Sequence, residues 1–99
     1  MPATPKYDVA PKMLTDTCPP FEYPEAARVE GKEGTVTVYV AVSSEGKPTF
    51  TSVAKSSGSE ILDQQTRMLI ERCTFSPATL NGKATYGPAW VAYAWRLSK

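Results

Sequence analysis

The run from Thr35 to Ser43 constrains this chain more than any other stretch. Positions 36, 38, 40 and 42 are all valine, and positions 35, 37, 39 and 41 are Thr, Thr, Tyr and Ala. A period of two puts the four valines on one face of a β-strand and leaves the other face more exposed. β-Branched valine also suits a pleated, half-buried surface. Such a strand needs neighbours on both sides and a cover over its apolar face, and the rest of the chain must supply them.

The neighbours can be read in order. Ser43-Ser44-Glu45-Gly46-Lys47 is a hairpin loop, with glycine where a positive φ is expected. Thr49 to Ser56 is a second, less regular strand. Thr51 and Val53 share one face and Phe50 takes the other, unless a bulge changes the phase. Pro48 cannot donate to a ladder, so it belongs at the strand's start or on an edge. The last strand runs from Ala89 to Leu97. Val91, Tyr93, Trp95 and Leu97 form one face, and Trp90, Ala92, Ala94 and Arg96 the other. Asn81-Gly82 is a turn signal ahead of it.

Two helices supply the cover. Ser59 to Cys73 is the main one, with Ser59 as its cap. Leu62, Thr66, Leu69, Ile70 and Cys73 form a single stripe at helical spacing. Asp63 and Arg67 are expected to pair across one turn on the outer face. Tyr23 to Glu30 is a short helix with Pro24 at the first helical position, where a missing N–H costs nothing, and Gly31 as its stop. Tyr23 reads as the aromatic staple that fixes the entry of the chain. The order is α-β-β-α-β. The predicted fold is α+β, a two-layer sandwich in which two helices lie on one face of an antiparallel sheet of three or four strands.

Size and composition narrow the class further. Ninety-nine residues make one domain with a thin core. Five of the nine prolines precede Tyr23, so residues 1–17 read as a linker or extended tail and 18–99 as the domain. Val9, Met13 and Leu14 are the tail residues able to lay a short extended segment on it. A net charge of +1 and the lack of a basic stripe give no nucleic-acid partner. No apolar run nears the roughly 20 residues that span a bilayer, and no secretory signal follows Met1.

Chemistry is sparse. There is no histidine, and Cys18 and Cys73 are the only cysteines. A zinc site lacks ligands and a thiolate catalyst lacks its imidazole partner. The carboxylates are scattered over helix faces and turns, and the glycines do not have phosphate-loop spacing. These features argue for no enzyme, no metal and no cofactor. The two cysteines form a disulfide or stand as unrelated buried thiols.

The spaced series Tyr23-Pro24, Glu33-Gly34-Thr35-Val36, Gly46, Val53, Ser56-Ser57-Gly58, Leu62-Asp63, Phe75-Ser76-Pro77-Ala78, Gly82 and the terminal strand resembles the C-terminal domain of the TonB family over residues 20–98. The resemblance implies a Gram-negative periplasmic domain. In that family a membrane helix and a proline-rich spacer precede the domain. An inner-membrane proton-driven motor is coupled through it to outer-membrane TonB-dependent transporters of siderophores or cobalamin. The domain takes up the transporter's TonB box as an added strand. The sequence departs from the pattern at Pro48, at Cys73 where many members carry tryptophan, and at Thr74 in place of arginine.

On that resemblance the partner-binding residues are Ala89, Trp90, Val91, Ala92, Tyr93, Ala94, Trp95 and Arg96, with Tyr23 and Pro24 beside them. The side chains of Val91, Tyr93, Trp95 and Leu97 themselves read as core. Trp90, Trp95 and Tyr93 could also be read as an aromatic platform, but only Arg96 lies near to support one. The oxidising compartment favours a Cys18–Cys73 disulfide. An unpaired terminal strand leaves a strand-exchanged homodimer open. The alternative function is a TonB-like structural or regulatory binding domain of the envelope that is not coupled to transport.

Overall fold

The computed structural model describes residues 7–97; the tail prolines Pro2 and Pro5 and the last two residues lie outside that range. A three-stranded antiparallel sheet is built from β2 (Gly34–Val42), β3 (Pro48–Lys55) and β7 (Gly87–Trp95), in the order β3-β2-β7. The valine strand is central. Val36, Val38, Val40 and Val42 are fully buried. Burying each of those side chains is worth roughly 1.5–3 kcal/mol. Their cross-strand neighbours continue the face, with Val38 between Val53 and Val91 and Val40 between Thr51 and Ala89.

Helix α2 (Glu60–Ile70) packs on this face against β2 and β3, and α1 (Glu25–Val29) packs against α2. The expected stripe of α2 is the buried one: Leu62, Thr66, Leu69 and Ile70, continued by Cys73 one turn past the helix. Ser59 caps the helix by accepting from the Leu62 amide. In the core, the Trp95 indole N–H donates to the Thr66 hydroxyl at 2.7 Å, which in turn donates to the Leu62 carbonyl at 2.7 Å. A buried indole needs such a partner. The two-layer α+β fold is therefore the one the sequence predicts.

Several local expectations are corrected. Pro24 is the extended residue before α1 and not its first helical residue. Helix α1 does stop at Gly31, where the Lys32 amide reaches back to the Ala27 carbonyl at 2.9 Å. Asp63 does not pair with Arg67. It faces inward, only 9% exposed, and accepts from the Ser57 amide at 2.9 Å, the Ser57 hydroxyl at 2.8 Å and the Ser56 hydroxyl. Three donors held in one loop outweigh a solvated guanidinium for a carboxylate. Arg67 bonds Glu71 at 3.1 Å instead. That clamp holds the Ser56-Ser57-Gly58 loop against Gly34, where a Cβ would lie 2.6 Å from the Ser57 carbonyl oxygen.

Strand β3 carries two register shifts against β2, opposite Thr37/Val38 and Ala41/Val42. The faces still fall as expected, with Thr51 buried and Phe50 59% exposed. The last strand ends at Trp95, so Arg96 and Leu97 lie beyond it; the Leu97 amide donates to Glu33 at 2.9 Å.

Short strands surround the main sheet, one of them on the extended segment expected around Met13 and Leu14. Asn81 and Gly82, both with positive φ, turn a small hairpin of β5 (Ala78–Leu80) and β6 (Lys83–Thr85). β1 (Lys12–Leu14) pairs with β4 (Thr74–Ser76), and Val9 exchanges hydrogen bonds with Thr79. The segment from residue 7 to 17, read from sequence mainly as spacer, is thus laid along the domain. Gly46 of the first hairpin meets the same region: its carbonyl accepts from the Phe75 amide at 2.7 Å, and a Cβ there would stand 2.1 Å from the Phe75 oxygen.

Candidate functional site

β7 forms one border of the sheet, and among the described residues no strand pairs with its outer side. Its nine residues pair with β2 without a break, from Gly34 opposite Trp95 to Val42 opposite Gly87. The opposite border, β3, is built differently. It begins at Pro48, is irregular at two points and ends at Lys55. Proline, bulges and a terminal lysine are devices that discourage strand addition. β7 also carries a proline, Pro88, at its second residue, but its register with β2 is continuous, and in that the two edges are unequal.

The predicted site residues divide by face. Ala89 and Trp95 are buried and Val91 and Tyr93 half-buried on the helix side. Trp90, Ala92 and Ala94 are exposed on the open side, and Arg96 is exposed just past the strand. No single aromatic platform of Trp90, Tyr93 and Trp95 exists, because alternation sends Trp90 the other way. Trp90 meets Tyr39 edge-on at 5.4 Å, and Tyr39 meets Phe50 at 6.3 Å, so a separate aromatic row crosses the open face. Periodicity could have found that row only with the strand register in hand.

Tyr23 and Pro24 stand near the end of β7. The Tyr23 ring is edge-on to Trp95 at 5.1 Å, and its hydroxyl donates to the Lys32 carbonyl. Lost hydration, and then the neighbouring Glu33 carboxylate, raise the Tyr23 phenol above its ordinary range, with Arg96 opposing. Tyr23 is thus held against Trp95 of β7 and against the backbone just past α1.

Cys18 and Cys73 are bonded to each other, closing 55 residues. The bond fixes the segment ahead of α1 to the end of α2. Phe21 then stacks on Tyr93 with ring centroids 4.4 Å apart. The chain from residue 7 to 23 therefore runs beside β7 without joining its ladder. It leaves a groove of about 460 Å³ between Tyr7, Ala10 to Met13 and the β7 residues Pro88 to Ala92. The sequence offered Val9, Met13 and Leu14 as a short extended segment on the domain, which the pairings of Val9 and β1 match, but it did not show that this segment walls a groove beside β7, since Pro11, Lys12 and Met13 carry no period. Among the described residues no cluster of His, Cys, Asp and Glu could hold a metal ion, and no helix is long and apolar enough to cross a membrane.

The fold and this border define a small α+β module with one straight, unpaired strand edge. Residues 19–97 match the family model described as the Gram-negative bacterial TonB protein C-terminal, and the chain belongs to that family. It is similar to the protein tonB2 of Pseudomonas aeruginosa, with 43% identity over 74 residues, which is 75% of this chain and 27% of that protein. The chain thus spans about a quarter of that relative's length. Its structure resembles the solution structure of the TonB C-terminal domain of P. aeruginosa, with a TM-score of 0.71 and 27% identity, covering 93% of this chain and 91% of that one.

Proposed function

We propose that this domain is the receptor-gripping end of a TonB-like energy transducer in the periplasm. In this reading, it binds the TonB box of outer-membrane active transporters by taking that segment as a strand against β7. The observation that carries the proposal is the contrast between the two sheet borders. β3 begins at Pro48 and shifts register twice, while β7, once past Pro88, runs from Ala89 to Trp95 in unbroken register with β2.

The chemistry required is modest. An added strand needs main-chain N–H and C=O groups in register, which β7 supplies without any reactive side chain. Ala89 to Arg96 would supply the edge and its flanking side chains. Tyr23 would brace the strand from behind through Trp95, and Pro24 would fix the entry into α1. Several ladder bonds loaded along the strand share the pull, so the grip resists shear. The inner-membrane proton-driven motor would act through chain ahead of these residues. Siderophore or cobalamin uptake is the transport so supported.

The test is an NMR titration with short synthetic peptides from the periplasmic N-termini of transporters encoded in the same genome. The expected result is broadening or shift of the amides of residues 89–96, with β3 amides unmoved. Silence across β7 for every peptide overturns the proposal.

A further inference from the structure

Ladder hydrogen bonds are blind to side chains, so selection among peptides must come from side-chain space beside the border. Two depressions border β7. The first is the groove of about 460 Å³ along the strand's outer border, bounded by Tyr7 and Ala10 to Met13 and, on β7, by Pro88 to Ala92, so that it takes in the inward Ala89 and Val91 together with the outward Trp90 and Ala92. The second, about 340 Å³, lies between Met13, Cys18 to Phe21 and Tyr93. Met13 lines both. On the strand, the first opens beside Val91 and the second beside Tyr93, which are consecutive inward positions. Side chains two apart on an added strand share a face and are spaced by roughly 7 Å.

We infer that the segment from Tyr7 to Phe21 is the selectivity wall of the docking edge, seating two apolar side chains, at i and i+2, of an added peptide strand in the two depressions that Met13 lines. This inference rests on strand addition at β7 as proposed above. The wall is fixed before any peptide arrives. β1 is paired with β4, Cys18 is bonded to Cys73, and Phe21 is stacked on Tyr93. A preformed wall loses little freedom on binding.

Charge completes the description of the occupant. Lys12 is the one charged residue that lines either depression. Among the described residues it is in neither of the ion pairs, Arg28–Glu25 and Arg67–Glu71. The occupant is thus an extended peptide with an apolar–any–apolar pattern and a carboxylate at the Lys12 end.

The experiment measures affinity and β7 amide shifts together for the transporter peptides named above. An alanine scan of the tightest peptide against the unaltered chain is expected to lose about tenfold at two positions two residues apart, and little between them. Ala10→Trp, an exposed position, fills the first depression and is expected to weaken binding to a similar degree. Lys12→Glu is expected to weaken an acid-bearing peptide, with recovery when the peptide acid is changed to lysine. A flat scan, or full affinity in both variants while β7 amides still shift, removes the wall and leaves strand addition standing. No β7 shift with any peptide sinks both readings. The scan needs no altered chain, so a misfolded variant cannot shelter the inference.

Discussion

At the scale of single residues, the decisive groups are polar atoms in an apolar setting. Thr66 is fully buried and Trp95 1% exposed, and the hydroxyl between the indole and the Leu62 carbonyl satisfies both atoms. Thr66→Val keeps the shape and orphans the indole N–H. The expected cost is about 1–3 kcal/mol, read from urea midpoints at constant slope. A double-mutant cycle with Trp95→Phe should show the two losses to be non-additive; strict additivity would refute the link. Tyr23 makes the second residue-scale prediction. Its phenol is raised in the folded state, so folding holds that proton to higher pH than the unfolded chain does. The contribution is intact below the ordinary value near 10 and is lost as pH rises through the folded value. Stability should therefore fall more steeply above about pH 10 in the parent than in Tyr23→Phe. Parallel curves would contradict the assignment.

At the scale of elements, legibility followed periodicity. The four valines and the α2 stripe repeat along their elements, so β2 and α2 were readable, and with them the two-layer fold. Asp63 was misread because its position on a helical wheel says nothing of the donors waiting in the Ser56-Ser57-Gly58 loop. β1 and β4 are three residues each, too short to carry a period, so the wall beside β7 was invisible until their pairing was known. The candidate site was thus half legible: its strand was, its flank was not. What joins flank to core is the Cys18–Cys73 bond. Closing 55 residues contributes roughly 4 kcal/mol in the loop-entropy description. Reduction should lower stability by that order, and hydrogen exchange should rise first in residues 8–17, whose own pairings with residues 74–79 are few. Exchange rising first in β2 would instead mean that the bond supports the central sheet directly.

At the scale of the whole molecule, the same bond decides how load crosses the domain. A pull entering ahead of residue 7 meets the single Val9–Thr79 bridge and then the three-residue β1–β4 pairing. Those contacts open one after another. The pull next reaches Cys18, where the disulfide hands it to Cys73 at the end of α2. From there it enters the core, because α2 packs on β2 and β3, and Thr66 of α2 bonds Trp95 of β7. The chain between the cysteines, which are 55 positions apart, is bypassed. In single-molecule stretching between the termini, the oxidised chain should therefore unfold to a shorter final length than the reduced one. At 3.3–3.6 Å per extended residue the difference is roughly 190 Å. The bypass keeps α1 and the β2–β3 hairpin inside the protected loop. Equal final lengths with and without reductant would show that the cysteines are not bonded in the stretched chain and would remove the bypass.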